Sequence, residues 1–142
     1  AATSKVVQIV NATYATETTN STTTYADTGL TATITPTSAS NKVLVYVFQN
    51  GVAKTSSSVS SAVGIKLMRA STDILTFSNQ SGYTASAVAN NVGTVGCGYL
   101  DSPATTSATI YKTQFKQNIA ASAAVVQEYN ISSSIVLMEV TP

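Results

Sequence analysis

Six carboxylates (Glu17, Asp27, Asp73, Asp101, Glu128 and Glu139) and one thiol, Cys97, are the side chains from which this chain would have to build reactive chemistry. Two carboxylates facing each other across a cleft would cleave a glycosidic bond. A thiolate would be a nucleophile if a cation or a helix N-terminus lowered its pKa. The 142 residues include no His, which removes Ser-His-Asp and Cys-His triads, His-ligated zinc and the usual proton shuttle near neutral pH. Asp27, Asp73 and Asp101 sit in turn-like sequences, where Asp commonly bonds its own backbone. Cys97 lies between Gly96 and Gly98 and reads as a small buried residue where backbones approach closely. No Asp/Asn-rich loop has the spacing of a calcium-binding EF-hand, and no glycine-rich loop opens onto a helix as a phosphate cradle would. The expectation is therefore a protein that is not an enzyme, with no cofactor and no metal.

Composition points the same way. Charged residues are 9% of the chain, against roughly 25% in an ordinary soluble domain. Ser and Thr supply the polarity instead, at roughly three residues in ten, about double common usage. Such a surface suits proteins held permanently in large assemblies. The net charge is +1 and the seven Lys and Arg are scattered singly, so nothing resembles a phosphate-neutralising stripe and no nucleic-acid partner is expected. The apolar runs are too short for a transmembrane helix, and no membrane partner is expected. A single Cys makes no internal disulfide, so the fold does not depend on an oxidising compartment. Asn-x-Ser/Thr sequons at Asn11, Asn20, Asn79 and Asn130 are what chance supplies in so hydroxyl-rich a chain.

The elements that would position these residues are strands. Val43 to Phe48 is an unbroken apolar run of Val, Leu, Tyr and Phe, which favours extended backbone. Alternation puts Val43, Val45 and Val47 on one face and Leu44, Tyr46 and Phe48 on the other. The stretches 4–10 and 133–140 are also apolar on both sides. Residues 30–35 alternate with Leu30, Ala32 and Ile34 inward, residues 62–69 with Val63, Ile65 and Leu67, and residues 106–116 with Tyr111 and Phe115. A tight connection over 70–73 leads to a strand over 74–77, and another strand runs over 92–100. A short strand is expected near 22–25, turns at 26–29 and 50–51, a loop over 53–61, and the longest loop over 78–91. The stretch 120–129 reads as strand in preference to a short Ala-rich helix. Eight to ten short strands without a convincing helix predict an all-β antiparallel sandwich, one domain over residues 1–142. If the three two-sided strands lie side by side, their sheet has two apolar faces. The opposite sheet covers one, and neighbouring subunits cover the other unless loops do. Interface residues are expected at Val6, Ile9, Leu44, Tyr46, Phe48 and Leu137, with Tyr83 in the long loop as a candidate partner contact.

The segments SKVVQIV (4–10), YADTGLTATITPTSASNKVLVYV (25–47), GIKLMRASTDI (64–74), LDSPATTSATIYKTQF (100–115) and SSIVLMEV (133–140) together resemble a family of small bacteriophage virion modules found in phages of aquatic bacteria. The TPTSASNKVLV join and the LDSPATTSA turn are the most specific parts. The resemblance implies a jelly-roll-like sandwich on a C1q/TNF-like plan, a homotrimer whose inner sheet packs near the threefold axis, and no catalytic residues. It implies a virion location, with assembly in the host cytoplasm. The leading role is a capsid decoration (cement) protein bound to the major capsid protein or other virion proteins, since a short chain with no fibrous segment favours a separate subunit. The alternatives are a tail or tail-fibre receptor-binding module acting through loops such as 78–91, and a lectin or carbohydrate-active protein.

Overall fold

The computed structural model describes residues 3–55, 58–120 and 122–142. Ala1 and Ala2 of the expected domain, Ser56 and Ser57 of the expected 53–61 loop, and Ala121 of the expected 120–129 strand lie outside them. The described residues form two antiparallel sheets packed as a β-sandwich. In chain order the strands are β1 (Val6–Tyr14), β2 (Thr18–Asn20), β3 (Ala26–Ile34), β4 (Lys42–Lys54), β5 (Val63–Arg69), β6 (Thr72–Ser81), β7 (Asn90–Asp101), β8 (Thr109–Gln117), β9 (Ala124–Val126) and β10 (Ser133–Val140). The first sheet runs β1-β10-β4-β9-β2, with β7 along the free side of β4; the second runs β3-β8-β5-β6.

The three strands that are apolar on both sides are neighbours in the first sheet, with β10 between β1 and β4. Their inward residues meet the second sheet. Val43, Val45, Val47, Ile135 and Leu137 pack with Leu30, Ala32, Ile34, Leu67 and Tyr111 in the larger core cluster. A smaller cluster of Val52, Val63, Ile65, Phe115, Ala124 and Val126 fills the far end. The alternating strands therefore turn their apolar residues inward as expected.

Two expected turns are bulges. Residues 26–29 lie inside β3, where the pairing with β8 shifts register between Asp27 and Thr31. Residues 50–51 lie inside β4, where the pairing with β7 shifts between Gln49 and Val52. Turn-type residues serve either purpose, and here the flanking residues find strand partners on both sides, so the chain carries on. Gly29 is the clearest case: its φ is +91° and the Tyr14 ring occupies the space a Cβ would take. Gly29→Ala should thus cost about 2 kcal/mol or more, from backbone strain and displacement of Tyr14. An unchanged urea midpoint would show that the bulge does not require glycine.

Other boundaries move for local reasons. The short strand is at Thr18–Asn20, not 22–25. The Asn20 amide donates to Thr24 O and Phe115 O at 2.9 Å, and its Oδ1 accepts from Thr22 N at 2.9 Å, which curls residues 21–24 into a side-chain-closed turn. The expected 78–91 loop shrinks to residues 82–89 because β6 continues to Ser81 and β7 starts at Asn90. Among the described residues of 120–129 only Ala124–Val126 is strand. Gln127, Tyr129 and Asn130 take φ of 52°, 59° and 58°, leaving a short 3-10 stretch at Glu128–Asn130.

Candidate functional site: an apolar sheet face

The outward residues of the first sheet line up in rows across β1, β10, β4 and β7. Ile9 stands beside Met138, Met138 beside Leu44, and Leu44 beside Leu100. The next row is Asn11, Val136, Tyr46 and Gly98, and the next is Thr13, Ser134, Phe48 and Gly96. Val6 and Val140 pair beyond the first row. Val6 and Ile9 are three residues apart, which would place them on opposite faces of a regular strand. The register shift between Val6 and Gln8 absorbs one residue and brings both outward.

The face is open. Ile9 is 60% exposed, Val6 55%, Phe48 49% and Leu100 48%. Its one charged position in these rows is Lys42, opposite Val140 at the margin. Gly98 and Gly96 shape the middle. They stand opposite Tyr46 and Phe48, and a Cβ on Gly98 would lie 3.0 Å from Tyr46 Cε1. The missing side chains let the rings lie across β7, so this stretch of the face stays flat.

The outer face of the second sheet is the opposite in kind. Lys112 Nζ donates to Asp27 at 2.8 Å and Gln114 Nε2 to the same carboxylate at 2.7 Å. Lys66 Nζ bonds Asp73 at 2.8 Å and sits 4.3 Å above the Tyr25 ring. One side of the sandwich is thus dressed in ion pairs and the other in aliphatic and aromatic side chains. Single exposed apolar residues are ordinary, whereas a contiguous patch marks a contact surface.

Of the expected interface residues, Val6, Ile9, Leu44, Tyr46 and Phe48 fall on this face. Leu137 does not: it is fully buried in the larger core cluster. β10 alternates, so its outward residues are Val136, Met138 and Val140, which sequence reasoning does not single out. Leu100 also escapes it, although a position two residues past Gly98 on an alternating strand is the available signal. Tyr83 is exposed, but it stands in the 82–89 loop and not in these rows. That loop is held by the buried Lys54, whose Nζ donates to Thr84 Oγ1 at 2.6 Å and to Ser86 O at 3.0 Å.

The chemically capable residues do not converge. Asp27 and Asp73 lie in strands and pair with Lys112 and Lys66, not with their own backbone as expected. Asp101 likewise ends β7 and takes two bonds from Arg69 Nη1, at 2.8 and 2.7 Å, and one from Tyr111 Oη at 2.6 Å. Burial, then the neighbouring Asp101, pushes the Tyr111 hydroxyl far above its ordinary pKa. Glu17 accepts from Tyr129 N at 2.9 Å. Burial and then the nearby Glu17 raise the pKa of Glu128. Burial also pushes the Cys97 thiol up to about 11, so it is protonated at neutral pH and a poor nucleophile. Among the described residues no three of His, Cys, Asp and Glu come together as a metal group.

Glu139 is the most deeply committed carboxylate. It is buried on the inward side of β10 and accepts from Gln8 Nε2 at 2.6 Å, Asn41 Nδ2 at 2.6 Å, Thr37 N at 2.7 Å and Thr37 Oγ1 at 2.8 Å. Burial alone would raise its pKa, but these bonds outweigh it and hold the carboxyl at about 2. A depressed pKa stabilises the fold fully above the ordinary value of 4.5, and that contribution is lost as pH falls from 4.5 towards about 2. Glu139→Gln should lower the urea midpoint at pH 7 and flatten its decline across this window. Parallel wild-type and variant curves would contradict the assignment.

No family model matches the chain, and no curated protein matches it in sequence.

Proposed function

We propose that this chain is a non-enzymatic structural protein of a bacteriophage virion, a jelly-roll-like module that assembles as a homotrimer and decorates the capsid as a cement protein. The observation that carries this reading is the apolar face of the first sheet, charged only at Lys42 on its margin, set against a second sheet whose outer face is ion-paired. Covering the five most exposed apolar side chains of this face, Val6, Ile9, Tyr46, Phe48 and Leu100, recovers about 1 kcal/mol each, so two such faces together recover about 10 kcal/mol. That is the same size as the ~4–15 kcal/mol that association costs in lost freedom. In the trimer the face lies towards the threefold axis, which leaves the ion-paired sheet and the loops to meet the major capsid protein or other virion proteins. Contacts spread over several shell subunits would hold the trimer by multivalent binding.

Light scattering of the full chain at micromolar concentration should give three times the chain mass, and a monomer would overturn the assembly. Imaging of virions should place the protein on the head, and capsids carrying it should resist heat or chelator better than capsids without it. Density at the tail tip would instead favour a receptor-binding module working through the tethered 82–89 loop with its exposed Tyr83. A ligand-dependent rise in stability with glycans would favour a lectin.

A further inference from the structure

Between the two core clusters lies a layer of fully buried polar side chains. Thr28, Gln49, Thr113 and Ser133 are each 0% exposed. Leu30 N donates to Thr28 Oγ1 at 3.1 Å, and Thr28 Oγ1 lies 2.6 Å from Thr113 Oγ1. Thr113 Oγ1 gives its one proton to Gln49 Oε1 at 2.8 Å, so Thr28 must donate to Thr113. Gln49 Nε2 then donates to Ser133 Oγ at 3.0 Å, and Asn50 N donates to the same hydroxyl at 2.9 Å. The chain of bonds crosses the sandwich from β3 through β8 and β4 to β10.

The backbone is interrupted along the same line. β3 bulges beside Thr28 and β4 bulges just after Gln49. β1 gives way to β2 across residues 15–17, and β9 gives way to β10 across the left-handed residues Gln127, Tyr129 and Asn130. Glu17 and Asn130 bridge these two breaks. Beyond the line the domain is more weakly built. Its cluster holds six core residues against ten, and β2 and β9 have three residues each. Gln127 Oε1, on the line, and Gln117 Nε2, beyond it, are buried without a hydrogen-bond partner among the described residues. A buried polar atom left without a partner weakens the part of the fold that holds it.

We propose that this polar layer is a seam between two cooperative units, and that the smaller unit opens and recloses while the unit carrying the apolar face stays folded. The smaller unit comprises β2, β9, the end of β4 from Val52, the start of β5 and the end of β8. Continuous apolar packing makes a domain unfold as one; a polar layer joined by bulged strands lets the two sides part, because the buried apolar residues form two separate clusters, with the partly buried Phe77 packed against both. The apolar rows from Ile9 to Phe48 lie wholly in the larger unit, so opening at the far end leaves them intact.

Native-state hydrogen exchange on the full chain, read residue by residue in low urea, tests this. Amides of the smaller unit should exchange about ten-fold or more faster than those at Val45, Val47, Ile135 and Leu137, with a weaker urea dependence. The separation should be the same at two protein concentrations ten-fold apart, which distinguishes it from protection that assembly gives the larger unit. A single opening free energy shared by both sets would overturn the proposal. The triple variant Thr28→Val, Gln49→Met, Thr113→Val removes the layer and should draw the two sets together; a persisting gap would show that the layer is not its cause. If that variant does not fold, the wild-type exchange pattern alone decides between one opening unit and two.

Discussion

Val45→Asp is expected to yield no folded protein. Val45 is fully buried, paired with Leu137 on one side and Tyr99 on the other, at the centre of the larger cluster. A carboxylate there would stand among the apolar side chains of the larger cluster, and an unpaired buried charge is among the costliest changes a core can take. Loss of the packed valine adds to it. Together these exceed about 5 kcal/mol, the lower end of a whole domain's stability. The expected readout is loss of the cooperative urea transition and of dispersed NMR signals. A folded Val45→Asp protein would contradict the inward assignment of the central strand.

Tyr46→Asp, one residue later, is expected to do the reverse: keep the fold and abolish the proposed assembly. Tyr46 is 39% exposed on the apolar face, where its ring lies across Gly98. A carboxylate there stays solvated in the isolated chain, so the cost in stability is about 1 kcal/mol, the scale of β-propensity. In an assembly three such carboxylates would be brought together and stripped of water against apolar neighbours. That penalty is several kcal/mol, enough to shift association by about a thousand-fold or more. Light scattering should give the mass of one chain at concentrations where the proposed wild-type trimer forms, with an unchanged circular dichroism spectrum. An intact trimer would move the interface elsewhere on the molecule. Two adjacent substitutions with opposite outcomes are a direct consequence of strand alternation.

That alternation is legible in the sequence. Val43, Val45 and Val47 against Leu44, Tyr46 and Phe48 is a pattern that β-strand geometry alone converts into two faces, and the same holds for Leu30, Ala32 and Ile34 or Tyr111 and Phe115. The sandwich class follows from it, as does the outward side of the central strand, Leu44, Tyr46 and Phe48. Leu137 is misplaced by sequence alone because a strand with apolar residues on both sides carries no internal mark of which side is the core. The turn-like residues at 26–29 and 50–51 mislead for a related reason. Asp, Asn and Gly suit a reversal and a bulge equally well, and only the partners on either side choose between them.

What the sequence by itself determined was most of the strands, the alternation of apolar residues along them and the lack of any His, since all three rest on local side-chain chemistry. Only the tertiary structure decided which two-sided strands are neighbours, that a bulge at Val7 turns Val6 and Ile9 the same way, and that Thr28, Gln49, Thr113 and Ser133 meet in one layer. These depend on register between segments as much as 134 residues apart, Val6 to Val140. Register is set by the joint packing of both sheets, a property of the whole chain that no single stretch contains.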